Sequence, residues 1–377
     1  QLVKTLQIDI ITMKLLTSSN IAKRAIGLAG VVVLTASLIL SSGTVLAQGE
    51  PAITTSAAQA DFPDTITFRL EATASAAITD IRLHYRVEHD SYARVVSEVE
   101  PDFSPAARVS ASWTWDMRQS GGLPPGTVVE YWWTVKDAAG RSASSEPQRF
   151  SFEDTRFQWR NMSQDNLIFY WYGSNQSAAQ KLLTASLEGL DALETKTGAS
   201  LSQPVMVYVY ASQQDMLDAM IFPQEWTGAA TYPDYATIVI GLAGDSDWNG
   251  TTMVHELAHM VSYQLTRNPY GGMPLWLNEG FSMYAEGELD LYFSSELTSA
   301  LSDGRTITVR SLSSPFSTDS ARSYLSYAES YSFVDYLIAS YGQAKLLSLL
   351  EVFRRGTDYD AALLEVYGFD MDGLYSL

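Results

Sequence analysis

The chain has 377 residues, 46% of them apolar, with 24 basic against 43 acidic side chains and a formal net charge of −19. That apolar share is ample for packed cores, excludes a disordered chain and suits two or three domains. The acidity argues against a nucleic-acid partner and against electrostatic adhesion to an anionic membrane, and the absence of Cys excludes a disulfide framework. At the amino end, Lys4, Lys14, Lys23 and Arg24 precede an uncharged run from Ala25 to Ala47 that closes Val45-Leu46-Ala47. This is the pattern of a secretory signal peptide, residues 1–47, cleaved after Ala47. The run is also long enough to span a bilayer, so a retained membrane anchor is the alternative. Either way the chain is expected to be exported, and secreted or held at the cell surface. Met13 followed by Lys14 reads as a better start than Gln1.

Residues 48–60, QGEPAITTSAAQA, read as an Ala/Thr/Ser linker. From Asp61 the apolar residues alternate: Ile66, Phe68 and Leu70; Ile81, Leu83, Tyr85 and Val87; Val109, Ala111, Trp113 and Trp115; Val129, Tyr131, Trp133 and Val135. Alternation separated by turn signals such as Gly121-Gly122 and Pro124-Pro125-Gly126 predicts an all-β sandwich over 61–153. Its strands carry their own apolar face, which predicts a module able to fold alone. Residues 126–147 resemble the last hairpin of bacterial immunoglobulin-like or fibronectin-like domains. Trp113, Trp115, Trp132 and Trp133 are candidates for a carbohydrate platform, but alternation assigns them to the core first. His84 and His89 are read as strand-end residues without a role.

Residues 154–377 form the second region. Phe150–Tyr172 reads as a junction and first strand, Gln176–Lys196 as a helix stopped at Thr197-Gly198, Val205–Tyr210 as a strand, Gln213–Ile221 as a short helix and Tyr235–Ile240 as another strand. Beyond Glu286 the pattern is helical at 289–301, 322–340, 343–355 and 359–367.

The chemistry lies in Thr251–Glu286, TTMVHELAHMVSYQLTRNPYGGMPLWLNEGFSMYAE. On a helix, His255 and His259 stand at i and i+4 on one face and can offer two imidazoles to one metal. Glu256 lies about 100° round the helix and is placed to act on a water beside the metal, as a general base. Glu279, twenty residues after His259, is the expected third ligand, on a second helix that Pro269, Gly271, Gly272 and Pro274 allow to fold back. Two imidazoles and a carboxylate make an open catalytic zinc site, one Zn2+ per chain, rather than a closed structural one. Only four His occur in the chain, and two of them flank this Glu. The bland alternative is a pair of ordinary histidines on a buried helix, which would be costly unless something paired them.

HELAH followed by LWLNEGFSMYAEG resembles the gluzincin zinc metallopeptidases, in particular peptidase MA-like domains and the aminopeptidase N group. The resemblance implies an α+β, thermolysin-like catalytic domain with a helical C-terminal part, behind the Ig-like β-sandwich. It implies a peptide or protein substrate lying along the sheet edge next to the zinc helix, expected at Tyr235–Ile240 with Gly228–Thr231 at the rim. LSYAESYSFVDYLIASYG is similar to the segment whose Tyr stabilises the tetrahedral intermediate. That Tyr corresponds to Tyr327, with Tyr324 and Tyr331 on neighbouring turns. Two departures matter. Aminopeptidases of this group hold the substrate amine with a Glu in a Gly-x-Met-Glu-Asn stretch, where this chain has GAATYPD, so an endopeptidase is implied. The thermolysin family proper has an Asp four residues after the third ligand, where Met283 stands here. The competing reading is a non-catalytic cell-surface binding or envelope-assembly module that keeps the peptidase fold.

Overall fold

One 23-residue strand, β2 (Thr65–Val87), organises the amino-terminal region. Its apolar residues sit at even positions from Ile66 to Ile78 and at odd positions from Ile81 to Val87. The change of parity coincides with register irregularities between Thr73 and Asp80, which let the strand bend and keep its apolar set inside. The first half pairs antiparallel with β1 (Ala52–Asp61) on one side and β4 (Ala106–Asp116) on the other. The second half pairs with β3 (Ser97–Val99) and β5 (Thr127–Asp137), and β5 pairs onward with β6 (Ser142–Ser144) and β7 (Gln148–Phe152). Trp133 is fully buried, Trp115 is buried, and Trp113 stacks on Phe68 and Tyr85, so these three are core rather than platform. Trp132 faces outward and stacks on His84.

This computed structural model describes residues 49–223, 227–244 and 246–377; the run read as signal peptide or anchor lies outside them. Among the described residues, no helix is long and apolar enough to cross a membrane. The stretch 48–60, read from composition as a linker, is largely strand β1. Small residues suffice there, because Ala58 and Ala60 need only cover one edge of β2.

The second region holds a five-stranded sheet in the order β11-β12-β10-β9-β8. Its strands are β8 (Arg160–Gln164), β9 (Leu167–Trp171), β10 (Val205–Tyr210), β11 (Ala229–Tyr232) and β12 (Thr237–Gly241). Helices α1 (Gln176–Thr197), α3 (Ser246–Thr266) and α4 (Leu275–Glu286) are followed by α5 (Leu291–Asp303), α6 (Ser320–Tyr341), α7 (Gln343–Arg354), α8 (Tyr359–Tyr367) and α9 (Met371–Ser376). The short α2 (Gln213–Leu217) ends earlier than its apolar spacing predicts.

Alternation divides the two faces of this sheet. Val205, Val207, Val209, Ile238 and Ile240 face α1 and α3, where they meet Leu182, Met253 and Leu257. Tyr208, Tyr210 and Val239 face the other way and share one apolar cluster with Phe62, Phe68, Leu123 and Phe152 of the β-rich region. A third cluster, among Trp276, Phe281, Val334, Leu349 and Phe353, joins the helices.

The chain crosses between the two regions at Asp154, a fully buried carboxylate. It forms two hydrogen bonds to the Arg156 guanidinium, at 2.9 and 2.7 Å, and accepts one from the Tyr210 hydroxyl at 3.0 Å. Its carbonyl accepts from Trp159 Nε1 at 2.8 Å.

Candidate metal centre

Two close helix contacts set the site. At Gly189 on α1 an added Cβ would lie 2.3 Å from a Val254 methyl, and at Gly280 on α4 it would lie 2.2 Å from the Ser330 carbonyl oxygen of α6. Side chains are excluded at both points, so α1 presses on α3 and α4 on α6. Between α3 and α4 the reversal is tied by Asn268. Its Oδ1 accepts from the Tyr270 and Gly271 amides, and its Nδ2 donates to the carbonyls of Gly271 and of Phe353 on α7. Pro274 then opens α4 in extended conformation.

The reversal brings Glu279 over the two imidazoles. Its Oε2 lies 3.5 Å from His255 Nε2 and 3.7 Å from His259 Nε2, and one donor atom from each of the three residues lies within 4.8 Å of the others. The far side of each ring is held: His255 Nδ1 donates to Glu286 Oε1 at 2.6 Å, and Ser282 Oγ lies 3.0 Å from His259 Nδ1. Both Nε2 atoms therefore point toward the Glu279 carboxylate. Two nitrogens and one oxygen converging with their rings fixed from behind is a donor set that fits zinc.

Burial opposes a charge on His255, yet the hydrogen bonds to Glu279 and Glu286 prevail and lift it to about 10. Burial likewise pushes Glu279 up, but the His255 hydrogen bond and the His259 charge hold its carboxyl below the usual range. The pocket is thus strongly electronegative and prepared for a cation.

Glu256 points away from the three donors. The Thr231 hydroxyl of β11 donates to its Oε2 and approaches its carbonyl oxygen at 3.3 Å. Tyr327 on α6 is half-buried with its ring edge-on to Phe316, 5.1 Å between centroids. Burial, reinforced by the carboxylates of Glu279, Glu256 and Glu286, raises its phenol pKa and keeps it protonated. Its two rivals face elsewhere: Tyr324 is exposed among Tyr292 and Phe293, and Tyr331 packs near Tyr284. A cavity of about 380 Å³ beside the centre is lined by Thr231, Pro233, Glu256, His259, Tyr263 and Glu279, among others.

The structure thus brings together His255, Glu256, His259, Glu279 and Tyr327. It differs from the sequence reading at the sheet edge. The strand before the zinc helix, β12, is interior, hydrogen-bonded to β10 and to β11; the outer strand is β11, inside the GAATYPD stretch. Four short, unremarkable residues at 229–232 gave no strand signal of their own. The sequence reading also missed Glu286, Ser282 and Thr231.

Residues 185–377, just over half of the chain, match the family profile of the peptidase MA superfamily. The chain belongs to that superfamily. No curated protein matches it. Among solved structures, the carbohydrate-binding module family 56 beta-1,3-glucan binding domain is 20% identical over 26% of this chain and 95% of its own, with a TM-score of 0.17. The Br derivative of BhCBM56 is 13% identical over 26% and 89%, with a TM-score of 0.19. Wild-type OgpA from Akkermansia muciniphila is 12% identical over 28% of each chain, with a TM-score of 0.22, so this member of the superfamily spans under a third of that protein. At such scores these likenesses bear on neither fold nor function.

Proposed function

We propose that this member of the peptidase MA superfamily is an exported, zinc-dependent metallopeptidase of the gluzincin type, cleaving within peptide chains. The observation that carries the reading is the convergence of His255 Nε2, His259 Nε2 and Glu279 Oε2, with Glu256 turned aside and held by Thr231. Zinc at these donors would supply a Lewis acid for the scissile carbonyl and a water acidic near pH ~7. Glu256 accepts the proton of the attacking water and hands it to the leaving amine. Tyr327, kept protonated, donates to the oxygen on which charge develops. Thr231 fixes one oxygen of Glu256, so the base meets the substrate already oriented.

The substrate backbone extends the sheet at the outer edge of β11, by strand addition. Cleavage within chains is favoured because β11 bears no carboxylate for a free amine, and the first acid after it, Asp234, accepts a hydrogen bond from the Tyr263 hydroxyl. The two sets of antiparallel pairings joined through β2 support an Ig-like sandwich for the amino-terminal region, and the signal-like run supports export.

The test is a peptide-library digest by zinc-loaded protein, read by mass spectrometry beside metal analysis. Glu256→Gln is expected to retain about one zinc per chain and to lose 10²–10⁴-fold in kcat, roughly the contribution of a general base. Tyr327→Phe should keep its metal and lose roughly 10²–10³-fold. Acetylated peptides should be cut as readily as free ones. Undiminished digestion by Glu256→Gln would reject the reading.

A further inference from the structure

The metal cleft does not end at the catalytic region. Pro233 and Tyr263, which line it, also line a second cavity of about 340 Å³ together with Asp90, Tyr92, Arg267 and Arg354. Asp90 and Tyr92 come from the β-rich region, in the segment 88–96 between β2 and β3. That segment is anchored by specific contacts. The Asp90 amide donates to the Asp234 carbonyl at 2.7 Å, its carboxylate lies 2.8 Å from Arg267 Nη2, and the His89 ring lies 5.5 Å from that of Tyr235. The Arg267 guanidinium covers one face of the Tyr92 ring at 4.2 Å, while the ring as a whole stays 56% exposed.

We propose that this second cavity is a remote substrate subsite, built jointly by the 88–96 segment and the catalytic region, which selects an acidic residue on the amino side of the cleaved bond. The proposal rests on the peptidase reading and deepens it. A peptide added to β11 takes the antiparallel sense, the more stable pairing. Because β11 runs from Ala229 toward Tyr232 and Pro233, the partner runs the opposite way and carries its amino-terminal part past Pro233 into the cavity. Two guanidiniums meet it there against one carboxylate. Arg267 is engaged by Asp90, and Arg354, paired with the exposed Glu351, supplies the charge within reach of a mobile side chain. The open face of Tyr92 gives the peptide an apolar surface to lie on.

The experiment measures binding of fluorescent peptides to zinc-loaded Glu256→Gln protein by anisotropy, so that turnover does not enter. Three peptides share one core sequence: one stops short of the cavity, and two are extended at the amino end with Glu or with Lys at the remote position. The Glu peptide is expected to bind tightest and the Lys peptide more weakly by roughly three- to fivefold, the scale of an exposed charge pair. Arg354→Glu should reverse the order of the two extended peptides. Tyr92→Ala should bring the Glu peptide toward the short one. Equal affinity for all three peptides, or an order that both substitutions leave unchanged, overturns the proposal. If the order holds but wild-type protein cleaves none of the three, the peptidase reading fails while the subsite stands.

Discussion

His255 is gripped from both sides, by Glu279 at its Nε2 and Glu286 at its Nδ1, and the second of these contacts is worth testing by itself. A carboxylate behind a metal-binding imidazole fixes its orientation and raises its basicity, and losing such a partner typically lowers metal affinity about 10–100-fold. Glu286→Ala should therefore bind zinc more weakly by roughly that factor, measured by competition with a chromogenic chelator, while circular dichroism stays that of the wild type. The HELAH pair and Glu279 were legible because spacing and residue type both speak. Glu286 was legible in principle, since it lies two turns beyond Glu279 on one helix face, but four residues beyond is where Met283 stands and where the sequence reading stopped. Thr231 carried no signal at all. It is an ordinary strand residue whose role exists only because β11 folds beside α3.

Among the elements, long periodic ones agreed with expectation and short ones did not. The 22-residue α1 and the strand Val205–Tyr210 have enough repeats to declare themselves, whereas β11 has four residues and β1 is built from Ala, Thr and Ser. What the sequence hid most completely is why α4 carries glycine next to its ligand. Gly280→Ala would press a methyl onto the Ser330 carbonyl of α6, and that backbone cannot swing away as a side chain tip would. Overpacking of this kind costs about 1–3 kcal/mol, so a lower Tm is expected, together with weaker zinc binding because Glu279 shifts with the helix. Equal melting of variant and wild type would refute the tight α4–α6 contact.

Helix α6 also carries Glu329, 2% exposed, whose two oxygens accept from the Ile307 amide at 3.0 and 2.9 Å. Burial lifts its carboxyl to about 7, with only partial relief from that amide. The folded chain then holds a proton that the unfolded chain releases near 4.5, so stability present below 4.5 is lost as pH rises through 7. Glu329→Gln keeps an acceptor for Ile307 and removes the titration. Its Tm should fall less than that of the wild type between about pH 5 and 8.

For the whole molecule, the sequence suggests two modules and the structure shows one apolar interior running through both. Tyr208, Tyr210, Met216, Ala219 and Val239, all at most 4% exposed, pack in a cluster that continues into the β-rich region. No periodicity announces this, because the outward face of a strand reads alike whether it meets water or another sheet; only the aromatic character of that face, with Tyr170, Tyr208 and Tyr210 in place of charged residues, hinted at a covering layer. A fragment of residues 154–377 would expose this surface, and it should aggregate or melt without cooperativity. Residues 49–377 should unfold in a single calorimetric transition. A fragment melting sharply at the full chain's Tm would contradict the shared interior.

The buried Asp154 decides how the two regions can move. A chain crossing between layers is where a hinge would be sought, in a few residues free to change their backbone angles. Here the crossing is clamped by a desolvated carboxylate that grips Arg156 and Tyr210 at once, and opening it would strand that charge at a cost of roughly 3 kcal/mol or more. At that cost fewer than about one molecule in a hundred would be swung open at any moment. The joint is a weld, and the 88–96 segment, carried on the far side of it, is held at a fixed distance from the metal centre.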